Sequence, residues 1–78
     1  MTPFRFRAVK EQHFSDETGG YAAYGILAEQ RERRAWIPVL HVEDVSADGA
    51  FAARLAARCA RFQLDPIHLL DVVADAIP

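Results

Sequence analysis

The sequence predicts an α+β domain, a three-stranded antiparallel meander followed by an αα-hairpin packed on one face, and three observations carry that expectation. Apolar residues partly alternate near the N-terminus, as a strand with one buried face requires. The paired Gly19-Gly20 then supplies the positive φ that a hairpin connection needs. In the C-terminal half the spacing becomes helical, with a break at Leu64-Asp65-Pro66.

The first strand runs from Phe4 to Phe14, with Phe4, Phe6 and Ala8 alternating and a slip at Val9 that predicts a bulge near its middle. After the loop from Ser15 to Gly20, residues Tyr21 to about Gln30 return antiparallel. Arg31-Glu32-Arg33-Arg34 is polar enough for the next turn, without a glycine or proline to set its type. Trp36 to Val45 forms a third strand. Pro38 cannot donate to a ladder, so pairing begins near Val39 or the strand lies at an edge.

Ser46-Ala47-Asp48-Gly49 marks a helix start, with Ser46 or Asp48 accepting from first-turn amides, and the helix extends to about Gln63. Phe51, Leu55, Cys59 and Phe62 fall on one face, with Arg54, Arg58 and Arg61 beside them. Ala52, Ala53, Ala56, Ala57 and Ala60 are read as a solvated surface rich in the best helix former, with close helix approach as the alternative. Pro66 suits a first helical position capped by Asp65 and opens a last helix to about Ile77. That helix has about 220° of apolar arc, where roughly 100° covers one core face. The surplus predicts self-association through Leu69, Val72 and Ala76. Phe51, Leu55, Phe62, Leu70 and Val73 are expected to meet a sheet face holding Tyr24, Ile26, Leu40 and Val42.

Seventy-eight residues make a single domain, 1–78, near the lower limit for a core without a disulfide, a metal or a partner. The lone Cys59 excludes an internal disulfide framework, and neither a signal-like stretch nor a membrane-length apolar run occurs, so a reduced cytoplasmic protein with no membrane partner is expected. Nine basic and eleven acidic residues give a net charge of −2, which draws the chain to neither nucleic acid nor anionic lipid.

Tyr24-Gly25-Ile26, the junction from Val42 to Asp48, Cys59, and the run Leu64-Asp65-Pro66-Ile67-His68-Leu69 with Asp71-Val72-Val73-Ala74-Asp75 resemble a family of short uncharacterised bacterial proteins. The resemblance covers roughly residues 21 to 77. It implies a bacterial, cytosolic origin and no catalytic residue to carry over.

Three constellations bear on chemistry. His68, Asp71 and Asp75 share one helical ridge, which suits a divalent metal or a small enzymatic site. The order is reversed relative to the Glu-x-x-His pairs of carboxylate bundles, however, and no second ligand helix completes a shell. Cys59 with His68 would make a nucleophile and base, but Cys59 sits on an apolar face where a thiol is inert. Arg31, Arg33, Arg34, Arg54, Arg58 and Arg61 suit phosphate contacts in a nucleic-acid-associated regulator, against which Asp71 and Asp75 on the would-be recognition helix argue. His13 and His41 are read as isolated surface or strand-edge residues. The resulting expectation is a non-enzymatic protein-protein interaction or regulatory domain, with a protein partner or a second copy, no cofactor and no metal.

Overall fold

Alternation in the first half builds one antiparallel sheet. The computed structural model describes residues 3–77 and places β1 (Phe4–Ser15), β2 (Gly19–Glu32) and β3 (Ala35–Ser46) in the order β1-β2-β3. Gly19, with φ of 73°, closes the first hairpin. Arg33, with φ of 57°, turns the second without help from glycine.

The β1–β2 register is unbroken from Phe4↔Gln30 to Ser15↔Gly19, so the expected bulge at Val9 is absent. Val9 is a half-buried residue paired with Gly25, and its apolar side chain breaks the alternation without inserting a residue. The irregularities lie in β3. Val39 is extra between the pairs Ala28↔Leu40 and Glu29↔Pro38, and Glu43 to Val45 lie between Ile26↔Val42 and Tyr24↔Ser46. Pro38 is tolerated because β3 is an edge strand. Pairing nonetheless begins at Ala35, ahead of Val39.

Helix α1 (Gly49–Arg61) starts at Asp48, whose carboxylate accepts from the amides of Ala50 (2.9 Å) and Phe51 (3.4 Å). It ends in a Schellman turn, in which the Leu64 amide donates to Cys59 O and the Gln63 amide to Ala60 O. Gln63 takes φ of 48° where glycine is usual, and its side chain shows why. Oε1 accepts from the Phe4 amide at 3.0 Å while Nε2 donates to the oxygens of Phe4 (3.2 Å) and Ala60 (2.8 Å). One amide thus closes the helix and pairs with the start of the edge strand.

The expected single last helix is a 3₁₀ turn at Pro66–His68, capped by Asp65, followed by α2 (Leu69–Ala76). Helix α1 lies chiefly over β1, and α2 with its leading turn over β3. Between helices and sheet lies a core of Phe6, Ile26, Ala28, Val45, Leu55, Ala56, Cys59, Leu69 and Val73, flanked by Phe51, Leu40, Val42 and Val72.

Two residues expected in that core from the helical half are outside it, and Tyr24, expected on the sheet face, is half-buried beside Gly49 and not part of the core cluster. Phe62 is 70% exposed and Leu70 62% exposed. The buried stripe of α1 is Ala52, Leu55, Ala56 and Cys59, so two alanines lie against the sheet while Ala53 and Ala57 face water. Small side chains there let the helix axis approach the sheet closely, which corrects the reading of the alanines as wholly solvated.

Candidate functional site

The two surfaces of the sheet differ in kind. On the side away from the helices, side chains of β1 reach across β2 and satisfy one another. Near one end Arg5 and Arg7 both donate to the buried Glu29 carboxylate, through Nε at 2.9 and 3.0 Å. Arg5 also stacks over Trp36 at 4.5 Å. Burial on its own would raise the Glu29 carboxyl, but the bonds from Arg7 and Arg5 hold it below the ordinary carboxylate value.

Toward the other end, Glu11 gathers three donors. His13 Nε2 lies 2.7 Å away, His41 Nε2 2.6 Å and the Asp44 amide 2.9 Å. The carboxylate crosses β2 over Gly25, where any Cβ would collide with it and would stand 2.6 Å from Val42 O. Asp44 adopts φ of 55° in the irregular part of β3, which turns its amide toward Glu11 while Val45 is buried in the core. The Tyr21 hydroxyl donates to Asp44 Oδ2 at 2.9 Å, and the His13 ring stacks on Tyr21 at 5.4 Å.

Burial pushes the Glu11 carboxyl up, but the donors His13, Asp44 N–H and His41 outweigh it and hold the carboxyl low. An ionised carboxylate only accepts, so both imidazoles present Nε2–H to it. The same contact raises His13, and the Asp44 carboxylate raises Tyr21. The reading of His13 and His41 as isolated residues is therefore corrected. Glu11 and His13 at i and i+2 share a strand face, which was the available signal; His41 joins them only through pairing across Gly25.

The helix side carries the grooves. One, of about 190 Å³, lies between the helices and is lined by Leu55, Arg58, Cys59, Phe62, Leu64 and Val72. Another, of about 390 Å³, is lined by residues of β1, β2, β3 and the 3₁₀ turn, including Phe4, Val39, Pro66 and Ile67. Phe62, Ile67 and Leu70 are 70%, 75% and 62% exposed. Leu69, expected on an interaction surface, is instead fully buried, and Val72 and Ala76 are half-buried against the core. The large apolar side chains left to solvent by the last segment are Ile67 and Leu70, with Ile77 exposed to a lesser degree.

His68, Asp71 and Asp75 are all exposed, and among the described residues no group of three or more His, Cys, Asp or Glu side chains is arranged to hold a metal ion. Cys59 is 3% exposed, and burial pushes its thiol up despite the nearby Arg58. Arg31, Arg33 and Arg34 are exposed at the second hairpin, and Arg54, Arg58 and Arg61 along α1. No helix among the described residues is long and apolar enough to cross a membrane.

A model of a protein family of unknown function, DUF6514, matches residues 3–78. The chain belongs to the DUF6514 family. The match takes in all three strands and both helices, so the sheet, the Glu11 cluster and the helix-side grooves of this DUF6514 chain all lie within the family domain. No curated protein and no solved structure matches it significantly.

Proposed function

We propose that this DUF6514 domain is a non-enzymatic protein-protein interaction module of bacterial cytoplasm, and that it binds through its helix layer. The observation that supports this reading is the exposure of Phe62, Ile67 and Leu70 within nine residues of chain. Isolated exposed apolar residues are ordinary, but Phe62 and Ile67 each line a groove, and large apolar residues beside grooves are characteristic of docking surfaces. The opposite sheet face has the reverse character. Its carboxylates Glu11 and Glu29 are already bonded to His13, His41, Arg5 and Arg7, so their bonding capacity is spent inside the chain.

The test is co-purification from the native host with wild type, with Phe62→Ser/Leu70→Ser, and with Arg7→Ser as a sheet-face control. The reading expects the helix-face variant to keep its fold by circular dichroism and to lose the partners that wild type and control retain. Identical partners for all three, or loss only in the Arg7→Ser control, would refute it.

A further inference from the structure

The two helices present opposite charges on their exposed faces. On α1, Arg54, Arg58 and Arg61 are exposed, and none forms an ion pair among the described residues. Arg58 borders the apolar groove between the helices, and Arg54 borders a second one with Phe51 and Leu55. On α2, Asp71 and Asp75 are exposed and equally without an ion pair among the described residues, with Leu70 on the same helix and Ile67 just before it. Both helices bury their other sides against one sheet face, so both charged rows point away from the sheet.

Part of this charge has a local explanation. Arg58 and Arg61 lie in the last turn of α1 and Asp71 in the first turn of α2, where each helix dipole favours them. Asp75 does not fit. It stands near the C-terminal end of α2, where the dipole disfavours an anion and where no basic residue lies in the last turn. Arg54 sits mid-helix, outside the reach of the dipole.

We infer that the occupant of the helix layer is a second copy of this chain, docked face to face about a two-fold axis so that α2 of each copy lies on α1 of the other. This rests on the helix layer being the binding face. The two-fold operation makes the patch complementary to itself, because each arginine row meets an aspartate row and the same contact is made twice. Ile67 and Leu70 then enter the groove region beside Phe62 on the facing copy. The competing arrangement, α1 on α1, sets three arginines against three and is disfavoured by like charge.

The experiment is sedimentation velocity on wild type, on Arg54→Asp/Arg58→Asp, on Asp71→Arg/Asp75→Arg, and on an equimolar mixture of the two variants. Wild type is expected to dimerise with rising concentration and to weaken with salt. Asp71→Arg/Asp75→Arg makes both helices basic, and Arg54→Asp/Arg58→Asp sets two aspartates on each helix with Arg61 the one cation left in the row, so each variant is expected to lose at least about tenfold in self-affinity. Their mixture restores both complementary contacts and should form a 1:1 dimer. If a reversal variant fails to fold, the milder Arg58→Gln and Asp75→Asn are expected to weaken the dimer separately. A monomeric wild type at roughly 100 μM, or a mixture that stays monomeric, overturns the inference. Loss of host partners in Phe62→Ser/Leu70→Ser alongside a monomeric wild type would show that the face binds a different protein.

Discussion

The Glu11 carboxylate occupies the space in which a Cβ on residue 25 would stand, so β1 reaches β3 across a glycine. Gly25→Ala must displace that carboxylate and also press on Val42 O at 2.6 Å. A loss of roughly 1–3 kcal/mol is expected in denaturant unfolding. Combining it with Glu11→Ala should relieve only part of the loss, because the contact with the Val42 backbone remains. Full additivity of the two changes would show that the carboxylate does not lie over residue 25.

Glu11 and His13 stabilise the fold over a defined pH window. Glu11 is held low, so its contribution is present above the ordinary carboxylate value and is lost as pH falls through the lowered one. His13 is raised, so its contribution is complete below about pH 6.5 and is lost as pH rises through the raised value. Melting temperatures from about pH 5 to about pH 9 should therefore decline on the alkaline side, and Glu11→Gln should flatten that decline. Parallel profiles for the two proteins would contradict the pairing.

Leu69 and Leu70 are neighbours in sequence with opposite fates, one fully buried and the other 62% exposed. Leu69→Ala should cost roughly 2–5 kcal/mol by loss of transfer energy and cavity formation. Leu70→Ala should stay within about 0.5 kcal/mol. The reverse order in chemical denaturation would mean that α2 is rotated about its axis.

Gln63 combines a left-handed backbone with a bidentate side chain. Replacement by alanine loses the bonds to Phe4 and Ala60 and keeps the unfavourable φ, at a cost of about 1–2 kcal/mol. Gln63→Gly loses the same bonds but accepts that φ freely, so it should be the milder change. An alanine variant as stable as glycine would contradict the strained turn.

Legibility in the sequence followed physical cause. Alternation, the Gly19-Gly20 turn, the Asp48 cap and the Leu64-Asp65-Pro66 break are local signals, and the elements stand where those signals place them. The ridge of Asp71 and Asp75 marks a phase for α2, with Leu69 and Val73 opposite it, but an apolar arc this wide leaves Leu70 an equal candidate for the core; packing on β3, after the 3₁₀ turn, buries Leu69 and Val73 and frees Leu70. In α1 side-chain size is a poor guide to the core, because close approach to the sheet favours Ala52 and Ala56 over Phe62. The Glu11 cluster unites β1 with β3, which pair only with β2, and so depends on a register no local pattern reveals.

Docking of a second copy on the helix layer is tested by a dilution series of amide NMR spectra on the wild-type chain. Concentration-dependent shifts confined to Arg54, Arg58, Phe62, Ile67, Leu70, Asp71 and Asp75, with Glu11, His13 and His41 unmoved, are the predicted result. Shifts centred on the Glu11 cluster, or none across the range, would contradict it.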